Sequence, residues 1–202
     1  FRPLRVEYPD DVTTFSIEDE YLIGKDLLVH PITDEGDTAL PVWYEVHTFQ
    51  KHNGEQSLYI PVTMSSIPVF QRGGSVICRK DRVRRSSSCM ENDPYALYIA
   101  LNSQLYIDDF HTFNFEKAKQ FVHRHLSFAA NTLSSRNLAP DSQFSTAFWI
   151  EKIVIIRGSQ PSSATLKNAE SAVEFEFDST LSVLTLRKPR VNTAADWTTI
   201  LR

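Results

Sequence analysis

Apolar and polar residues alternate with a period of two along much of the chain, the spacing that turns one face of a β-strand to a core and the other to water. The stretches "PLRVEY" (3–8), "FVHRHLSF" (121–128) and "VEFEFD" (173–178) show this alternation most clearly. Continuous apolar runs such as "DLLVHPI", "QSLYIPV", "IPVF", "SVIC", "YALYIAL" and "FWIEKIVIIRG" are bounded by Pro, Gly or polar clusters and read as buried strands. "QLYIDD" adds another, and "SVLTLRKP" reads as a strand that Pro189 stops. Many short strands with few helix signals predict a mainly β architecture.

One stretch carries a helix signature. In "SIEDEYLIG" (16–24), Ser16 is placed to cap, Asp19 stands three residues on, acidic residues fill the first turn, and Gly24 sits where helices stop. Strand, short helix and strand are thus predicted over Pro3–Ile32, an α/β unit distinct from the rest of the chain. After Asp34 only strand patterns remain. The polar break "SSSCMENDP" (86–94) separates a second β block, 95–202, whose strand spacing predicts a β-sandwich.

Composition narrows the function classes. A formal charge of −4 over 202 residues provides no basic field for nucleic acid, and "RKDRVRR" (79–85) reads as a solvated loop. No apolar run is long enough to cross a bilayer as a helix. Two cysteines, Cys78 and Cys89, are too few for a disulfide framework and lack zinc spacing. They read either as one disulfide closing the basic loop in an oxidising compartment or as two free buried thiols. The chain begins at Phe1 without a methionine, which suggests a piece of a longer product.

Few residues suggest chemistry on their own. Gly73 and Gly74 lead into "SVICRK", which has no helical period, so they read as a tight turn between two strands and not as a phosphate loop. Asp108 and Asp109 are adjacent carboxylates, but neighbours on a strand point to opposite faces and do not flank one bond. A turn or cation-coordinating role suits them better. His123 and His125 share a strand face without a third ligand at useful spacing, so cross-strand pairing is expected of them. Trp43 and Tyr44 are simplest as core, with sugar stacking from a loop as the alternative.

Taken together and in order, "RPLRVEYPDDVTTFSIEDEYLIGKDLLVHPI", "VWYEVHTFQKHNG", "IPVFQRGGSVI" and "LYIDDFHTFNF" resemble the C-terminal third of glycoside hydrolase family 31. The resemblance implies the end of a (β/α)8 barrel in residues 1–33, a proximal β-sandwich in 34–94 and a distal β-sandwich in 95–202. It makes "IPVFQRGGSVI" a hairpin of the proximal sandwich with the glycines at its turn. Two departures stand out: "DEGDTALPVWYEV" is shorter than the family pattern, and Phe110 stands where that pattern has glycine.

The activity implied by the resemblance is retaining hydrolysis of terminal α-linked glucose, in which one aspartate attacks the anomeric carbon and another protonates the leaving oxygen. Both belong to barrel strands that precede Phe1 in the family pattern. No catalytic residue is therefore carried over, Asp108 and Asp109 are not given that role, and no substrate-binding residue, metal or cofactor is assigned. The resemblance further implies glucose trimming of N-linked glycans at α-1,3 linkages in the endoplasmic reticulum lumen, with a regulatory β subunit as partner and neither nucleic acid nor membrane. A stand-alone β-sandwich module that binds carbohydrate or protein without catalysis is the alternative. The segment Phe1–Ile32, as a barrel remnant, favours the enzyme portion.

Overall fold

The computed structural model describes residues 1–18, 20–29, 38–39, 43–53, 56–57, 67–100, 103–107, 112–156, 159–167 and 169–202. They form two compact units, Phe1–Ser75 and Val76–Arg202. The division falls at neither expected boundary, 33/34 or 94/95. Strands from both sides of residue 33 share one sheet, and so do strands from both sides of residue 94.

The strands of the first unit are β1 Arg2–Pro3, β2 Tyr21–Ile23, β3 Leu27–Val29, β4 Thr38–Ala39, β5 Trp43–Glu45, β6 Lys51–His52, β7 Gln56–Ser57 and β8 Val69–Arg72. Six form an antiparallel sheet in the order β1-β2-β3-β8-β5-β6, while β4 pairs with β7. Leu4, Leu22, Leu28, Trp43 and Phe70 make the core of this unit.

The predicted α/β unit does not form. Of "PLRVEY" only Pro3 is in a strand, and Leu4–Glu7 is a single helical turn that buries Leu4. The helix expected over 16–24 is replaced by a 3-10 turn, Val12–Ser16, followed by β2. An isolated nine-residue helix is marginal, whereas Leu22 on a strand enters the core opposite Leu28. Gly24, with φ of +66°, opens the 24–26 turn of the β2–β3 hairpin and caps no helix. The parallel strands of a barrel are therefore absent from the described part of this segment.

The second unit contains β9 Val76–Arg79, β10 Tyr95–Ile99, β11 Ser103–Ile107, β12 Val122–Ala129, β13 Thr132–Asn137, β14 Trp149–Ile156, β15 Ala164–Leu166, β16 Ser171–Ala172, β17 Glu174–Asp178, β18 Val183–Asn192 and β19 Trp197–Leu201. One sheet runs β17-β18-β14-β10-β9, with β10 and β14 parallel, and the other runs β11-β12-β13-β19-β15-β16. Ile153, Ile155, Leu184 and Leu186 of the first sheet share one buried cluster with Leu126, Leu133, Trp197 and Leu201 of the second. This is the predicted β-sandwich. The alternation of "FVHRHLSF" appears directly as alternating burial along β12.

Pro189 does not end its strand. β18 continues to Asn192 through a bulge in which residues 188–190 face the single residue Glu151 of β14. Lys188 and Arg190 take left-handed φ values of 47° and 54° on either side of the buried Pro189. The proline lacks an N–H, and a bulge is where a strand tolerates that loss.

Candidate functional site

Gly73 and Gly74 do connect two strands, and Gly74 has φ of +92°. The strands are not a hairpin, however: β8 pairs with β3 and β5, whereas β9 pairs with β10. The turn carries the chain from one unit into the next and is closed locally, with Ser75 Oγ donating to the Arg72 carbonyl at 2.7 Å. Gln71 Nε2 donates to the Ser75 carbonyl at 3.2 Å. β9 follows the glycines with no helix N-terminus, so the phosphate-loop geometry is absent.

Trp43 and Tyr44 lie on β5, not in a loop, and both are buried, so neither offers a stacking platform. His123 and His125 share the half-buried outward face of β12. Among the described residues no group of three or more His, Cys, Asp or Glu is placed to hold a metal ion. Asp108, Asp109, Phe110 and most of "DEGDTALPVWYEV" lie outside the described residues. Cys78 and Cys89 are both free thiols. Cys78 is half-buried against the sandwich core, and burial pushes its thiol up to about 12, while Cys89 is exposed.

In the first unit Arg72 draws distant segments together. Its Nη1 donates to Glu7 Oε1 at 3.1 Å, its guanidinium lies 5.9 Å from the centre of the Tyr8 ring, and its backbone N–H donates to the Asp26 carbonyl at 2.8 Å. Arg2 adds a second cation to Glu7 at 3.6 Å. Burial raises Tyr8 above its ordinary value against the opposing pull of Arg72, and Asp26 is raised for the same reason. Nearby, Phe1 packs edge-on to Tyr21 beside an open groove of about 490 Å³.

The second unit holds the denser constellation, on the outward face of its β9-containing sheet. Tyr98 Oη donates to Asp81 Oδ2 at 2.7 Å, and Lys152 Nζ reaches the same oxygen at 2.8 Å and Tyr98 Oη at 3.1 Å. Arg79 pairs with the other Asp81 oxygen at 3.3 Å, and its guanidinium lies 4.6 Å from the Tyr98 ring centre. Burial alone would raise Asp81, but hydrogen bonds from Lys152 and Tyr98 outweigh it and hold the carboxyl below its usual range. The run 79–85 is thus not merely a solvated loop. Arg82 pairs with Glu151 at 2.7 Å, Arg84 grips Asp93 with contacts of 2.7 and 2.9 Å, and Lys80 donates to the Met90 and Glu91 carbonyls.

A cleft of about 300 Å³ opens on this face. Asp81, Glu151, Lys152, Thr185, Arg187 and Lys188 form its polar lining, with Pro94 and Ala96 supplying apolar surface. Sequence reasoning passed over these residues because they come from four separate segments. The available signals were Lys152 inside the apolar run "FWIEKIVII" and the lone acid, Asp81, within the basic run.

An antiparallel sheet unit followed in sequence by a two-sheet sandwich defines a β-rich architecture. Residues 1–77 match the glycosyl hydrolase family 31 C-terminal domain. The chain is 49% identical over its whole length to neutral alpha-glucosidase AB of Homo sapiens, of which it covers 23%. It superimposes on a crystal structure of the glucosidase II alpha subunit bound to alpha3-Glc2 with a TM-score of 0.81 and 26% identity, covering 99% of this chain and 25% of that one. A glucosidase II heterodimer of catalytic subunit and regulatory-subunit binding domain matches with a TM-score of 0.81 and 25% identity, over 99% of this chain and 25% of that one. Residues 1–77 thus match the C-terminal domain of glycosyl hydrolase family 31, and the chain as a whole is similar to part of a neutral alpha-glucosidase and of a glucosidase II alpha subunit. It spans about a quarter of the length of the curated relatives it matches.

Proposed function

We propose that this chain is the C-terminal β-rich part of a retaining α-glucosidase that removes terminal α-1,3-linked glucose from N-linked glycans in the endoplasmic reticulum lumen. The observation that carries the reading is the 49% identity to a neutral alpha-glucosidase along the entire chain. The bound alpha3-Glc2 of one structural relative supports the linkage, and the heterodimer of another supports a regulatory subunit as partner. On this reading the units 1–75 and 76–202 are the counterparts of the family's proximal and distal domains, and residues 1–33 adjoin the end of the barrel. Their role is to support that barrel, where the aspartate nucleophile and the aspartate acid would stand upstream of Phe1. A retaining mechanism needs both carboxyl groups about 5 Å apart across one glycosidic bond, so a chain without the pair turns over nothing.

The test compares two proteins. The purified 202-residue chain should leave p-nitrophenyl α-glucoside intact, and the product extended through the coding sequence upstream of Phe1 should cleave it, with preference for α-1,3-linked glucose disaccharides. Turnover by the short chain that Asp108→Asn or Asp109→Asn abolishes would overturn the reading. An extended product inactive on every α-glucoside would do the same.

A further inference from the structure

Residues 81–89, which follow β9, are all exposed, and Val83 reaches 97% exposure. They contain "RVRR" (82–85) followed by three serines. Among the described residues, no backbone N–H or C=O of 81–85 takes part in a hydrogen bond, and the Ser86 carbonyl accepts only from the Cys89 N–H at 3.1 Å. Ser86 is itself extended, with φ of −152° and ψ of 164°. An endoprotease takes its substrate as an added β-strand, main chain to main chain, and so needs these groups unengaged. A paired strand or a helix would first have to open, whereas 81–86 already meets the requirement.

Side-chain pairing singles out one bond in this segment. Arg79 pairs with Asp81, Lys80 donates to the Met90 and Glu91 carbonyls, Arg82 pairs with Glu151, and Arg84 grips Asp93, whose side chain is only 5% exposed. Arg85 is the one cation of 79–85 that no acceptor engages among the described residues. A protease that cuts after arginine must draw that guanidinium into a pocket carrying a carboxylate. Freeing Arg84 for such a pocket gives up two charge-assisted bonds to a buried acid, and freeing Arg85 gives up none. The same contacts span the Arg85–Ser86 bond: Lys80, Arg82 and Arg84 precede it, and Met90, Glu91, Asp93 and Glu151 follow it. The β9–β10 ladder, from Arg79 opposite Ala96 to Val76 opposite Ile99, spans it as well. A break at this bond would release neither end.

We propose that the Arg85–Ser86 bond is a processing site for an arginine-specific serine endoprotease, which converts the chain into two pieces, 1–85 and 86–202, that stay assembled. Water is split across the bond: its hydroxyl ends on the Arg85 carbonyl carbon and its proton on the Ser86 nitrogen, leaving a new carboxyl and a new amino terminus. The cut is read without glucoside turnover, so the proposal stands or fails separately from the α-glucosidase reading. The experiment treats the native 202-residue chain with a trace of trypsin, follows intact mass over time, and runs the product on gel filtration with and without urea. The masses of 1–85 and 86–202 should appear before any other product, co-elute in native buffer and separate in urea. Arg85→Gln should slow the first cut about tenfold or more, because a paired guanidinium must then be freed instead. Its unfolding midpoint should match that of the wild type, since Arg85 holds no partner. A first cut at another bond, an unchanged rate in Arg85→Gln, or pieces that part in native buffer would overturn the proposal.

Discussion

Arg124 on β12 donates to Asp196 Oδ1 in the turn before β19, across 72 positions of sequence. The guanidinium is buried to 2% side-chain exposure, whereas its carboxylate partner is 61% exposed. Nε donates to Ser135 Oγ at 3.1 Å, Nη1 to the Ala194 carbonyl at 3.1 Å, and Nη2 to the Ser135 and Ala195 carbonyls at 3.2 and 2.8 Å. One side chain thus ties β12, β13 and the β18–β19 turn together. Asp196 in turn accepts from the Asn137 N–H at 3.0 Å, closing the end of β13.

Arg124→Met should destabilise the second unit by about 2–4 kcal/mol, because it removes the cation that Asp196 faces and leaves the Ser135, Ala194 and Ala195 carbonyls without their side-chain donor. Asp196→Asn keeps an acceptor in place and should cost only about 1–2 kcal/mol. Chemical denaturation of the 202-residue chain measures both. Equal losses in the two variants would mean that the carbonyl contacts contribute little.

Acid should act on the two units in opposite directions. Hydrogen bonding to Arg124 holds Asp196 below the usual carboxylate range, and the bonds from Lys152 and Tyr98 hold Asp81 low against its burial. A lowered folded-state pKa contributes stability above the ordinary value of about 4 and loses it as pH falls through the lowered value. The second unit should therefore lose stability from about pH 4 downward, and Asp81→Asn combined with Asp196→Asn should flatten that loss. Burial instead raises Asp26, so its contribution is present at low pH and disappears as pH rises through the raised value. Asp26→Asn should accordingly stabilise the first unit at neutral pH, as hydrogen exchange at Leu22 and Leu28 would show.

The two thiols should separate by reactivity. Cys89 is exposed, whereas burial pushes Cys78 to about 12, leaving almost no thiolate at neutral pH. Iodoacetamide should add one label to the native protein and two after unfolding in urea, read by intact mass. Two native labels would contradict the packing of Cys78 against the core.

Gly74 tests the turn itself. A Cβ built there meets no atom within 4 Å, so the penalty for a side chain comes from φ of +92° alone. Gly74→Val should cost about 1–3 kcal/mol through backbone strain. Phosphate should not stabilise either protein. A phosphate-dependent rise in the wild-type melting temperature that the mutant lacks would restore an anion-binding role.

Period-two alternation along 121–128 and 173–178 was enough to predict strands and a sandwich in the second unit, because half-buried strands carry their facing in local sequence. The linked order of the motifs, from "RPLRVEY" to "LYIDDFHTFNF", was enough to identify the family. Local sequence misled where its signals were short-range and tertiary partners prevailed. Ser16 to Gly24 carries helix-terminus residues, yet pairing with β3 and burial of Leu22 make part of it a strand. Pro189 signals a stop, yet pairing of β18 with β14 on both sides of the bulge carries the strand past it. The cleft depended still more on tertiary structure, since Asp81, Lys152 and Lys188 are far apart in the chain. Only the register of β14 against β10 and β18, set by hydrogen bonds between distant segments, brings those charges onto one face.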